Sequence, residues 1–128
     1  MTGVVRLINC FEVPSGRDEE FLTMFGEMND YMAARPGFLG NRLHRSLAPD
    51  ARYRFINYVE WESPAHLRAA RDEHFDELRA GILAAGFTST HAPYEIVQER
   101  QSGNGPIDEP TSAGLHGADD RPGVVAAG

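Results

Sequence analysis

Asn9, Asn57 and Trp61 are the residues whose types and spacing point most directly to chemistry. Asn57 and Trp61 lie in Arg54-Phe-Ile-Asn-Tyr-Val-Glu-Trp61. Side chains of a β-strand alternate with a period of two, so Phe55, Asn57, Val59 and Trp61 share one face. That face is apolar but for one amide, and it ends in the chain's single Trp. Asn9 occupies a like position in Leu7-Ile-Asn-Cys-Phe11. Primary amides and an indole N–H are neutral hydrogen-bond donors. In a dry cavity such groups stabilise negative charge developing on oxygen, and one donor is worth about 3 kcal/mol of barrier. The indole ring adds a flat surface for a polycyclic molecule. A lone buried amide is usually only a satisfied core group, so the elements that carry these residues decide what they mean.

The first strand is read over 4–13, with Leu7, Asn9, Phe11 and Val13 on one face. Pro14-Ser-Gly16 ends it, and Ser15 with Asp18 resembles a capping box for a helix reaching about residue 35. Asp18, Glu19 and Glu20 suit that helix's positive end. Phe21, Phe25, Met28 and Met32 form its apolar stripe, a core stripe in which Met fills irregular gaps. Pro36-Gly37 stops it. A second strand over 38–47 turns at Ala48-Pro-Asp-Ala51 into the return strand that bears Asn57, giving an antiparallel hairpin. Ser63 caps a short helix over 64–71, Pro64 suits its first turn, and 72–85 continues or restarts it through Phe75, Leu78, Ile82 and Leu83. Gly86 is its stop. A last strand is expected over 94–100. Residues 101–128 are rich in Gly, Pro, Ser and Asp without periodicity, which predicts a disordered tail after one domain over 1–100.

The composition narrows the partners. With 128 residues, 41% of them hydrophobic, the chain suits one domain around one core. A net charge of −7 and no basic stripe argue against nucleic acid. No apolar run approaches the roughly 20 residues of a membrane span, and the N-terminus has no signal-peptide pattern. The single Cys10 makes no intrachain disulfide and suits a reducing, cytoplasmic setting.

The order β-α-β-β-α-β predicts an α+β, ferredoxin-like sandwich, one antiparallel sheet with its helices on one face. The first and third strands are expected side by side at the centre, running parallel, which brings Asn9 near Asn57. Two inward amides beside a Trp then mark the floor of a cavity between sheet and helices. The opposite face carries Ile8, Cys10, Ile56 and Tyr58 among Arg6, Arg54 and Glu60. With no helix to cover it, that face predicts a twofold homodimer packed sheet to sheet.

Leu7-Ile-Asn-Cys-Phe11, Arg35-Pro-Gly-Phe-Leu39, Arg52-Tyr-Arg-Phe-Ile-Asn-Tyr-Val-Glu-Trp61 and the Ser-Pro-Ala that follows resemble the antibiotic biosynthesis monooxygenase family. The resemblance covers about residues 4–100 and is strongest in the third strand. It implies a dimeric α/β barrel built from ferredoxin-like protomers. Asn9 with Asn57-x-x-x-Trp61 is similar to the quinone-forming subgroup of aromatic polyketide pathways, which oxidises an anthrone with dioxygen and uses no metal, flavin or haem. The resemblance therefore implies Asn9, Asn57 and Trp61 as the catalytic set, dioxygen as co-substrate and no cofactor. Proton loss from an anthrone gives an enolate able to pass an electron to dioxygen. Radical recombination gives a peroxide, and loss of water gives the quinone.

Two other readings share this fold. A haem-degrading monooxygenase also uses an Asn and a Trp, but needs an axial His one turn after a helical Phe. Four residues after Phe75 stands Arg79, and His74 precedes the Phe. A non-catalytic ligand-binding dimer is the other. No H-E-x-x-H, paired Cys or clustered Asp/Glu/His spacing marks a metal site. His44 and His91 remain candidate acid/base groups, while His66 reads as a first-turn residue and His116 falls in the tail.

Overall fold

The computed structural model describes residues 3–103. Its elements run β1 (Val5–Glu12), α1 (Asp18–Ala33), β2 (Phe38–Arg45), β3 (Phe55–Trp61), α2 (Pro64–Ala70), α3 (Glu73–Ala84) and β4 (Thr88–Tyr94). The described residues fall into two compact units, one ending at residue 95 and the other beginning at residue 96. In the second, residues 96–101 carry no helix or strand, and 104–128, most of the expected tail, lie outside the described residues.

The strands make one four-stranded sheet in the order β2-β3-β1-β4, every neighbouring pair antiparallel. The expected ferredoxin-like α+β fold is therefore present, with one correction. The central strands β1 and β3 run antiparallel, not parallel, because β3 returns through a hairpin from β2. Asn9 and Asn57 consequently stand as direct cross-strand partners.

The registers align residues into rows across the core face. Arg45, Phe55, Phe11 and Ser89 form one row, Leu43, Asn57, Asn9 and His91 the next, and Asn41, Val59, Leu7 and Pro93 the third. The first row leads into an aromatic cluster. Phe21 stacks on Phe55 at 4.8 Å between ring centroids and on Phe25 at 5.7 Å, and meets Phe11 at 4.9 Å and Phe87 edge-on at 5.5 Å. Such pairs add to the free energy of burying the rings. Phe21, Phe25, Met28 and Met32 are buried, as their helical spacing requires.

Two local details depart from expectation, and one open alternative is resolved. Arg17, not Ser15, occupies the α1 N-cap, and no side chain caps that helix. Its guanidinium pairs instead with Glu20 and lies over the Phe87 ring. The second helix restarts rather than continues: Asp72 leaves helical geometry and accepts from the Phe75 N–H, capping α3 at 2.9 Å. The last strand is Thr88–Tyr94, ahead of the expected 94–100. Pairing with β1 explains the shift, because Asn9 and Phe11 need partners that follow α3 at once, and Gly86 with φ 103° makes the tight exit.

Gly37 sets the entry to β2. Its φ is 89°, and a Cβ there would lie 2.3 Å from His66 Cγ on α2. Its carbonyl accepts from Glu62 N at 2.7 Å, so the turn after α1 is fastened to the end of β3.

Candidate active site

One cavity lies between the core face and the helices, within residues 1–95. Asn9, Asn57 and Trp61 all line it, together with Asn29 of α1, Ser89 and His91 of β4, Arg71, and Arg79 of α3. Leu7, Phe25, Met28, Met32, Phe38, Val59 and Phe75 are among its apolar walls. Its volume is about 40 Å³, space for one or two waters. A polycyclic occupant needs a pocket of several hundred Å³, so the cavity admits one only if its lining rearranges.

Asn57 is 5% exposed, the one buried polar residue among the described residues. Alternation on β3 points it inward, and its Oδ1 accepts from Asn41 Nδ2 at 2.9 Å. In that pairing the oxygen is occupied and the NH₂ group remains to donate. Asn9 complements it. Asn9 Oδ1 is buried without a hydrogen-bond partner among the described residues. An orphaned buried acceptor costs about 1–3 kcal/mol, and Asn9 is among the residues that line the cavity. An unpaired acceptor and an unpaired amide donor thus stand on adjacent central strands, complementary to a molecule with both a hydroxyl and a carbonyl. Trp61 is 1% exposed and held edge-on by Phe38 at 5.4 Å between centroids.

The histidines separate clearly. His91 lies in the same cross-sheet row as Asn9 and Asn57, and its Nε2 is 3.0 Å from Arg71 Nη1. Burial, then Arg71 and Arg79, push its pKa below the ordinary imidazole value. His44 points the other way: it is exposed, pairs with Ile56 on the outer face and sits 3.2 Å from the Ile56 carbonyl. It is not part of the cavity. His74 is also outside, exposed, against the Tyr31 ring and Glu77. Among the described residues no group of three His, Cys, Asp or Glu side chains is placed to hold a metal ion.

Sequence reading did not identify Asn29, Asn41, Arg71, Arg79 or Ser89 as site residues. For Arg79 the signal was present: Phe75, Arg79 and Ile82 follow i, i+4, i+7 spacing, so one turn of the buried face carries a cation. Arg71 depends on the break between α2 and α3. Asp72 anchors that break, accepting from the Tyr31 hydroxyl and pairing with Arg35 at 3.4 Å. Ser89 became visible only once β4 was placed.

On the outer face Arg6 donates to Tyr58 Oη at 3.0 Å, Tyr58 donates to Glu60 at 3.0 Å, and Ile56 is 37% exposed.

The fold has solved counterparts. A candidate monooxygenase from Shewanella loihica PV-4 is 31% identical, covers 77% of this chain and 99% of its own, and superposes with a TM-score of 0.67. SnoaB, a cofactor-independent oxygenase from Streptomyces nogalater, is 28% identical over 76% of this chain and 96% of its own, with a TM-score of 0.65. A curated relative, the 42.8 kDa protein in the whiE locus of Streptomyces coelicolor, is 32% identical over 112 residues. The match takes in 85% of this chain, which spans only 27% of that relative's length. The family model for antibiotic biosynthesis monooxygenases matches residues 4–81. The chain belongs to the antibiotic biosynthesis monooxygenase family.

Proposed function

We propose that the protein is a cofactor-independent oxygenase that oxidises a polycyclic phenolic ketone, an anthrone, to a quinone with dioxygen, acting as a homodimer. The observation that carries this reading is the facing pair of amides in an apolar cavity: Asn9 with an unpaired acceptor, Asn57 with an unpaired donor, and Trp61 beside them. The likeness to SnoaB supports it. Asn9 Oδ1 accepts a substrate hydroxyl and Asn57 NH₂ donates to the carbonyl oxygen. As the ring loses a proton, charge grows on that oxygen, and a fixed donor in a dry site stabilises the enolate more than the ketone. Trp61 supplies a flat wall and an N–H donor for the oxygen-derived anion. The exposed Ile56 and its apolar neighbours on the uncovered sheet face support assembly with a second copy.

Incubating the purified protein with dithranol, an anthrone, under air and under nitrogen tests the reading. Turnover to the quinone is expected under air alone, and it persists after chelator treatment. Trp61→Phe keeps most of the ring surface and removes the N–H, so a fall of about tenfold or more in kcat with unchanged folding is expected. No acceleration over buffer in air, or activity restored only by added metal or haem, overturns the proposal.

A further inference from the structure

Arg71 and Arg79 are the two cations on the cavity lining, and no carboxylate lines it. No salt bridge among the described residues engages either one. Asp76 acts on Arg71 only as a minor influence, behind burial and the repulsion from Arg79. Arg71 instead lies over the Phe75 ring, with its guanidinium carbon 5.1 Å from the ring centroid, and reaches Nε2 of His91. A guanidinium can only donate, so Nε2 accepts and the ring proton sits on Nδ1. A neutral imidazole satisfies one N–H and cancels no charge. Two half-buried positive charges therefore share a cavity with no carboxylate on its lining and only Asp76 acting on Arg71 from beyond it, and such a cleft concentrates anions.

We propose that Arg71 and Arg79 form an anion subsite, and that an anionic substrate draws Arg71 off His91 and so frees Nε2 to accept the proton whose loss begins the oxidation. The proton-acceptor role rests on the oxygenase reading; the anion subsite does not. The step balances simply. The ring C–H bond breaks, its electron pair stays in the conjugated system as an enolate, and a new N–H bond on Nε2 makes the imidazolium. The charged groups that act on His91 are Arg71, from the α2–α3 junction, and Arg79, from α3; β1 faces it with uncharged Asn9. In the empty site those cations and burial disfavour the imidazolium. A bound anion offsets the cations, so the imidazole becomes a stronger base when substrate is seated and stays masked when it is not.

The test uses the full chain with anthraquinone-2-carboxylate and its methyl ester as probes. Calorimetry should show the acid binding roughly tenfold or more tighter than the ester, as expected for a charge-assisted contact. Arg71→Gln and Arg79→Gln should each abolish the preference, and Arg71→Lys should restore part of it. In NMR titrations, with the His91 ring signal assigned by its loss in His91→Gln, the free imidazole should titrate below the ordinary histidine value. Its midpoint should rise with the acid bound and stay put with the ester; the same spectra show whether each variant is folded. Equal affinity for acid and ester, or no binding of the acid at millimolar concentration, overturns the subsite. A His91 midpoint unmoved by the acid, or wild-type kcat toward an anthrone carboxylate in folded His91→Gln, overturns the proton-acceptor role. If neither dithranol nor an anthrone carboxylate is oxidised while the acid binds as expected, the oxygenase reading and the proton acceptor fall together and the anion subsite stands.

Discussion

Asn57→Ala separates a working amide from a structural one, and its partner Asn41 makes the separation quantitative. In the wild type Asn41 Nδ2 donates to Asn57 Oδ1 at 2.9 Å, which turns the Asn57 NH₂ toward the cavity. Removing Asn57 deletes the cavity donor and strands Asn41. Asn41 is only half-buried, so water can replace the lost bond and the stability cost falls at the low end of the range for an unmade bond, about 1 kcal/mol. For a domain of this size that lowers Tm by roughly 4–8 °C. The catalytic cost is larger: loss of one donor to a developing oxyanion lowers kcat about 10²-fold or more. Asn41→Ala leaves the donor in place but free to rotate, so a smaller loss, about tenfold, is expected. The double variant should be no slower than Asn57→Ala, because an orienting residue contributes nothing once its target is gone. Initial rates of dithranol oxidation in air, with guanidinium unfolding of each variant, give all the terms of the cycle. Near-wild-type kcat in folded Asn57→Ala, or losses that simply add in the double variant, would refute the reasoning.

Three further perturbations test the frame around the site. Ile56→Arg puts a charge on the uncovered sheet face and should shift the wild-type dimer to monomer or insoluble protein; light scattering that shows a wild-type monomer at micromolar concentration contradicts the dimer. Gly37→Ala combines a positive φ with a Cβ driven into the Cβ and Cγ of His66, atoms too near the α2 backbone to swing away; a loss of about 2 kcal/mol or more is expected from strain and overlap, read as a drop in Tm. Asp72 is held below the usual carboxylate range, first by the Tyr31 hydroxyl and then by the Phe75 N–H. Its contribution is present above the ordinary Asp pKa of about 4 and is lost as pH falls through the folded value. Asp72→Asn keeps an acceptor for the cap, so it should lower stability at neutral pH and flatten the acid side of the stability–pH curve.

The parts of the molecule that follow apolar periodicity were legible in the sequence, and part of the polar lining of the cavity was not. Phe55, Val59 and Trp61 alternate cleanly, and β3 lies where that pattern puts it. α1 is marked by Phe21, Phe25, Met28 and Met32. β4 lies upstream of its expected place because its inward residues Ser89 and His91 are polar and line the cavity and Pro93 is a poor strand former, whereas Tyr94-Glu-Ile-Val97 is richer in strand formers. The relative direction of β1 and β3 is a property of chain connection, and no local pattern encodes it. Asn9, Asn57 and Trp61 were identified from strand phase and resemblance, and the fold brings them together. Arg79 follows the spacing of Phe75 and Ile82, whereas Arg71 depends on a helix break fixed by the Asp72 cap, Tyr31 and Arg35, a contact between elements distant in sequence.

The rows across the core face divide labour along the strands. The aromatic cluster of Phe11, Phe21, Phe25, Phe55 and Phe87 gathers about one row, while the polar row of Asn57, Asn9 and His91 lies beside it. Much of the burial that offsets chain entropy is thus concentrated at one level of the sheet, and the amides and the imidazole contribute little to it. Exchanges at 9, 57, 71, 79, 89 and 91 then draw on a stability reserve held elsewhere, which is the condition under which a pocket can drift to new ligands without crossing its unfolding threshold. A library confined to those positions should return mostly folded variants, making this scaffold a favourable starting point for directed changes of substrate.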